Sequence, residues 1–233
     1  MKPFLTAGWT YLTNITYAVD PVLLQAHLPK DLELDTINGK AFISIVPFNF
    51  HNTRVRSIRI PFHSDFPEMN LRFYVKKNNK RGVVFIREYV PKLMVAFVAN
   101  TLYNERYRVA GMKNTITETN NEITARYELS RRGKKFSIEV KAANVPSVPS
   151  HDTIEHFFKE HELGFTGSKE GTRVYLVEHP VWEIFPVKEI KMNIDFGSLF
   201  GKEWDFLNDE KPFVSMLVKG SPVKVFPHKE LAV

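Results

Sequence analysis

Along most of the chain, apolar and polar residues alternate in short runs separated by turn residues, a period of two that predicts strands rather than helices. Strands are expected at 54–60, 70–77, 82–90, 107–118, 122–131, 135–142, 172–179, 183–190, 213–218 and 222–227, with Ala41 to Phe50 as a further one. Asn38-Gly39 lies between Leu32-Glu33-Leu34-Asp35 and that segment, and this dipeptide predicts a hairpin. Lys76-Lys77-Asn78-Asn79-Lys80-Arg81 and Arg131-Arg132-Gly133-Lys134-Lys135 sit between alternating segments and read as hairpin tips. Gly167-Ser168-Lys169-Glu170-Gly171-Thr172 lacks the ending of a phosphate loop and reads as another hairpin loop.

Three stretches break the period. Residues 20–28 predict a helix with Asp20 as N-cap and Pro21 at its first position. Residues 92–103 predict a second helix, apolar nearly all round from Leu93 to Ala99, and 152–161 a third, capped by Asp152 with Glu155 three residues later. Many strands and few helices predict a mainly β (α+β) fold, an antiparallel β-barrel with about three helices outside it or plugging an end. Nothing resembles a linker, so residues 1–233 are expected to form one domain.

Composition narrows the function classes. Hydrophobic residues make up 43%, with 19 Phe, 8 Tyr and 3 Trp, which supplies a packed core and excludes a disordered chain. With no cysteine there are no disulfides, thiolate metal sites or thiol nucleophiles. The apolar run at the N-terminus is too short for a signal peptide, and no window approaches the roughly 20 residues of a membrane span. A cytoplasmic protein is expected. The net charge of +6 concentrates on the two hairpin tips without a recognition helix or stacking motif, so neither nucleic acid nor a membrane is expected as partner. His151, His156 and His161 are spaced by five, which does not place them on one helix face, so no metal and no cofactor are expected.

The charge that alternation does not explain is Arg87-Glu88-Tyr89-Val90-Pro91-Lys92, set between two strongly apolar stretches. Buried charge is costly unless it is paired or used. A symmetric loop at 78–81 places Arg72 opposite Arg87, with Asn70, Arg72 and Tyr74 sharing a face with Phe85, Arg87 and Tyr89. Opposed guanidiniums are unfavourable unless an anion lies between them, which points to a carboxylate or phosphate site. Neutralisation by Glu68 or Glu88 is the structural alternative, and a three- or five-residue loop would break the opposition. Lys92 follows Pro91 at a helix start, where the helix end and apolar neighbours disfavour an ammonium. It reads either as a nucleophilic amine or as a lysine whose stem carries it to water.

Tyr17-Ala18-Val19-Asp20-Pro21-Val22-Leu23-Leu24, continued by Leu28-Pro29 and Leu32-Glu33-Leu34-Asp35, resembles the opening of the acetoacetate decarboxylase family. Pro61-Phe62-His63, Glu68 to Val75, Gly82 to Pro91, Leu102-Tyr103-Asn104 and His179-Pro180-Val181-Trp182 resemble the YqjF-like bacterial family. The resemblance implies an acetoacetate-decarboxylase-like barrel around a cavity. Those decarboxylases form a Schiff base through the first lysine of a Pro-Lys-Lys motif, which Pro91-Lys92 matches, while Leu93 replaces the second lysine. The positions of the family's arginine and glutamate fall at Thr10 and near Ser44, so acetoacetate-type decarboxylation is set apart from what the resemblance implies. Three functions stay open. The first is binding of a small organic anion by Arg72, Arg87, Asn70 and Tyr74. The second is catalysis on a carbonyl-containing acid through a Schiff base on Lys92, with Glu88 or Tyr89 carrying protons. The third is a structural interaction module whose interior is filled by side chains.

Overall fold

The computed structural model describes residues 1–168 and 171–231, so Lys169 and Glu170 of the expected hairpin loop lie outside the described residues. The first half of the chain comprises β1 (Leu5–Val19), α1 (Val22–Gln25), β2 (Glu33–Leu34), β3 (Ala41–Val55), β4 (Ile58–Arg59), β5 (Phe66–Lys77), β6 (Lys80–Val90) and α2 (Leu93–Tyr103). Then come β7 (Tyr107–Val109), β8 (Gly111–Glu118), β9 (Glu122–Arg131), β10 (Lys134–Ala143), α3 (Ile154–Lys159), β11 (Leu163–Gly167) and β12 (Thr172–Glu178). The last are β13 (Ile184–Phe185), β14 (Val187–Asn193), α4 (Phe196–Phe200), a 3-10 helix (Lys202–Asn208), β15 (Val214–Val225) and β16 (Lys229–Glu230). The fold is mainly β, and no helix among the described residues is long and apolar enough to cross a membrane.

β15, β1, β3, β5, β6, β11 and β12 pair in succession, and β12 pairs again with β15 through Val177↔Val225 and Glu178↔Lys224. The ladder thus returns to its starting strand. All its pairings are antiparallel except β6 with β11. A second sheet, in the order β14-β10-β9-β8, packs against the outer face of this ring.

This double cover explains the sequence pattern. On β3, Phe42, Val46, Phe48 and Phe50 join an inner cluster with Tyr74, Val83 and Val218, while Ile43 and Ile45 join an outer cluster with Tyr127, Ile138 and Leu199. A strand buried on both faces has no solvent side, so Ala41 to Phe50 reads apolar at nearly every position. The second sheet has one wet face. Ile123, Ala125, Tyr127 and Leu129 are buried on β9, between polar residues that are not. That clean alternation is why 122–131 and 135–142 match β9 and β10 to within a residue.

Elsewhere the structure differs from the period-two reading. β1 was not anticipated, because Thr13, Asn14 and Thr16 are buried polar residues and a bulge with Tyr11 at φ 53° interrupts it. Residues 213–218 and 222–227 are one strand, β15, kinked where Gly220 adopts φ +83° against the Trp9 carbonyl. Residues 54–60 are the end of a hairpin, turning at Arg56 and Ser57 with φ 48° and 69°. The 107–118 stretch divides between the two sheets, and 183–190 divides at Pro186. Leu34 pairs with Val75 of β5, which leaves the Asn38-Gly39 turn closing a single bridge, Ile37↔Lys40. The described residues form five helical segments rather than about three, since α4 and the 3-10 helix are too short to show a period. In α3 the cap is Thr153, whose side chain accepts from the His156 amide, in place of Asp152.

The parallel β6–β11 contact depends on Gly82, where an added Cβ would lie 2.5 Å from the Leu163 carbonyl oxygen and 2.6 Å from the Phe165 ring. Gly82→Ala is expected to destabilise the fold by about 1–3 kcal/mol through overpacking, read as a drop in melting temperature. Gly133→Ala, with no atom within 4 Å of the added Cβ, is the comparison for the cost of a positive φ alone.

Candidate functional site

β5 turns Phe66, Glu68, Asn70 and Arg72 to the inside of the ring, and Met69, Leu71 and Phe73 to the outer cluster. Its partner β6 does not keep the expected register. The hairpin closes on Asn78 and Asn79 alone, with Lys77 opposite Lys80, so Arg72 pairs with Phe85, and a bulge then sets Ile86 and Arg87 together opposite Leu71. The extra residue shifts the phase of all that follows. Val83 and Phe85 face inward before the bulge and Glu88 faces inward after it, while Arg87 and Tyr89 face out. Arg72 and Arg87 are therefore not brought together. The Arg87 guanidinium donates to the Leu199 carbonyl at 2.5 Å, and the Tyr89 hydroxyl donates to the same oxygen.

Inside the ring is a cavity of about 180 Å³. Trp9, Phe48, Phe50, Phe85 and Trp182 supply much of its apolar wall, and Met94, Val95 and Val98 of α2 cover it. Its polar part is built from four places in the chain: Glu68, Asn70 and Arg72 on β5, Glu88 on β6, Glu105 and Tyr107 at β7, and Lys159, His161 and Tyr175 from α3 to β12. Glu68 accepts from Asn70 Nδ2 at 3.2 Å and from the Tyr107 hydroxyl at 2.9 Å. Glu105 accepts from the Tyr175 hydroxyl at 3.0 Å. On β5 and β6, Asn70 Oδ1, Arg72 Nε and Glu88 Oε2 have no hydrogen-bond partner among the described residues, and the same holds in this lining for Trp9 Nε1, Thr53 Oγ1 and the His161 ring nitrogens.

Desolvation dominates the electrostatics. Burial pushes Glu68 up to about 7, against its hydrogen bonds from Asn70 and Tyr107 and the Arg72 charge. Burial raises Glu105 to about 8, and it holds Glu88 well above the usual carboxylate range, with the neighbouring Glu105 and Glu68 adding to the rise. His161 is held well below its ordinary value by burial and by Arg81 and Arg72, so its ring is neutral. Lys159 is fully buried and paired with Glu160.

The remaining expected site residues sit elsewhere. Tyr74 lies on the inner face, but its hydroxyl is engaged with Ser44 Oγ at 2.6 Å and receives Asn14 Nδ2 at 3.3 Å. Lys92 is the N-cap of α2, outside the cavity wall. Thr10 bonds His51 at 3.0 Å. His151 and His156 meet, with nitrogens 3.2 Å apart, because a turn rather than helix separates them, while His161 is in the cavity. No cluster of metal-ligating side chains is present among the described residues. Glu105, Tyr107, Lys159, His161 and Tyr175 escaped the reading of the sequence. The one local signal was Lys159 directly after Phe157-Phe158, a cation in an apolar turn of helix.

The raised carboxyls make stability depend on pH with a definite sign. The folded chain binds more protons than the unfolded one between the usual carboxylate range and about 8. Stability from these groups is full below that window and falls as pH rises through it. Melting curves between about pH 7 and about pH 9, above the range in which the buried neutral ring of His161 contributes the opposite slope, should show a falling melting temperature. Glu88→Gln, a neutral isostere, should flatten the slope and melt above the natural sequence at the alkaline end.

A family model described as an uncharacterized conserved protein, DUF2071, matches residues 6–222. The Uncharacterized protein YqjF of Bacillus subtilis (strain 168) is 29% identical over 178 residues, 75% of this chain and 72% of that protein. Among solved structures, an acetoacetate decarboxylase-like enzyme from Sphingomonas wittichii RW1 superposes with a TM-score of 0.66 at 10% identity, covering 99% of this chain and 94% of its own. The enduracididine biosynthesis enzyme MppR complexed with pyruvate superposes with a TM-score of 0.62 at 12% identity, covering 98% and 91%. At those identities the likeness is one of fold. The family match spans nearly the whole ring of strands and the cavity within it, and the chain belongs to the DUF2071 family of uncharacterized conserved proteins.

Proposed function

We propose that the ring acts as a barrel whose cavity binds a small organic acid with an apolar body. The observation that carries this reading is the convergence on one cavity of Arg72 Nε, Asn70 Oδ1 and Glu88 Oε2, all buried without a protein partner. Buried polar groups are almost always satisfied: a ligand carboxylate would accept from Arg72 Nε and from a protonated Glu88, while Asn70 Oδ1, an acceptor, would take a donor such as a water bound beside the ligand. Charge balance agrees. Below about pH 7, with Glu68, Glu88 and Glu105 protonated, His161 neutral and Lys159 paired to Glu160, the Arg72 guanidinium is left as one uncompensated cation, which suits a monoanion. A protonated Glu88 donates a hydrogen bond where an ionised one would repel. The aromatic wall fits an apolar body, and the volume is of the order of the roughly 150 Å³ cavity that accommodates benzene. An interior with that space does not suit the interaction-module reading.

The site residues in this reading are Arg72 as the anchor, Glu88 as a neutral donor and Asn70 as an acceptor beside them. Arg87 and Tyr89, on the outer face, and Tyr74, engaged with Ser44, have no part in it. Titration calorimetry with hexanoate and with phenylpyruvate tests it. Binding is expected, and Arg72→Gln should weaken it about tenfold to a hundredfold, the worth of a charged hydrogen bond, while Glu122→Gln leaves it unchanged. Affinity should fall as pH rises through 7 and 8, where Glu68 and Glu105 ionise. Absence of binding, or equal affinity in the Arg72 variant, overturns the proposal.

A second reading, catalysis on a carbonyl-containing acid, is favoured by the buried amine in the cavity wall. That amine is Lys159 rather than Lys92. The pyruvate complex named for MppR makes a keto acid a reasonable probe. Incubation with pyruvate and cyanoborohydride, followed by peptide mass spectrometry, should place an adduct on Lys159 if the reading holds. An adduct spread over surface lysines, or none, removes it.

A further inference from the structure

β7 lies parallel to β6, with Glu88↔Tyr107 and Tyr89↔Arg108 as partners. Glu88 and Tyr107 face the cavity, and the alternation turns Arg106 and Arg108 to the same outer side as the bulged Arg87. The three arginines line a separate hollow of about 370 Å³, together with His27, Asn100 and Glu203. Arg59, Arg81, Arg126 and Arg173 each reach a carboxylate. Among the described residues no carboxylate lies within 4.0 Å of a guanidinium nitrogen of Arg87, Arg106 or Arg108. Glu105 reaches the hollow as well, but its carboxyl is tied to the Tyr175 hydroxyl. Neighbouring like charges on adjacent strands are unfavourable and call for a counter-charge.

We propose that this hollow is a second anion site, distinct from the cavity, that holds a dianionic oxyanion of the phosphate type. Three guanidinium forks around one concavity match a tetrahedral group with several acceptor oxygens better than they match a single carboxylate. Two negative charges also balance the excess that Glu203 leaves. The Arg87 bond to the Leu199 carbonyl fixes one fork, while the exposed Arg106 and Arg108 are free to close on the ligand. The oxyanion is either free phosphate or the phosphoryl group of an ester, and the chemistry of recognition is the same. This site rests on the outer face alone and stands whether or not the cavity binds an acid.

The test uses the full chain and inorganic phosphate, with sodium chloride at matched ionic strength as the control and glycerol 3-phosphate as the ester. Calorimetry and thermal melts should show saturable binding of phosphate that chloride does not reproduce. The double variant Arg106→Gln/Arg108→Gln should lose at least about tenfold in affinity, while Arg132→Gln, on a hairpin tip, keeps it. Without any anion the double variant should melt no lower than the natural sequence, since it removes repulsion. Tighter binding of the ester would identify a phosphorylated molecule as the natural source, and equal or weaker binding would identify free phosphate. Phosphate also stabilises proteins by exclusion from their surfaces, an effect that would persist in the variant. Equal shifts in chloride and phosphate, or a double variant that keeps its affinity, overturns the proposal.

Discussion

A ladder of strands that closes on itself sends every second side chain into an interior with little water, and the rest of this structure follows from that constraint. Apolar residues fill most of the inward positions, from Phe42 and Phe48 to Val83 and Val218. An ionisable residue there must give up its charge, find a partner or leave a deficit. All three outcomes are present. Glu68, Glu88 and Glu105 hold their protons to higher pH, Lys159 pairs with Glu160, and Arg72, which cannot deprotonate, keeps its charge. The chemistry of the cavity is the remainder of that balance.

Much of the fold was legible because burial writes itself into the period of the sequence. Where one face is wet, as on β9 and β10, alternation located the strands to within a residue. Where both faces are buried, as on β3, the strand showed as a continuous apolar run. β1 was hidden because its inward positions hold Thr16 and Asn14, which bond to Ser44 and Tyr74 rather than packing. Short helices such as α4 have too few residues to show a period, so α4 could be found only through its contacts with β6 and the second sheet.

The site was legible in part for a related reason. Asn70 and Arg72 share a face because β5 is regular, and that much follows from spacing two. What spacing could not show was the bulge at Ile86–Arg87, which depends on the fit between strands and not on residue type. Nor could it show that Glu105, His161 and Tyr175, which follow β5 by 28 residues or more in the chain, converge on the same space. Long-range convergence is a property of the ladder's order, in which the free edge of β6 takes β11 along its first half and β7 along its second.

The bulge has a consequence for how such a protein changes over generations. Substitution alters one side chain at a time and leaves its orientation as it was. Loss of Ile86, the extra residue, would do something else: it would restore the regular register with Arg87 still opposite Leu71 on the outside and Glu88 still opposite Asn70 on the inside. A single codon deletion there would remove the bulge and leave the charges of the cavity and of the outer hollow on the faces they occupy now. The bulge is thus a place where the length of this strand can change without altering which charges face the cavity.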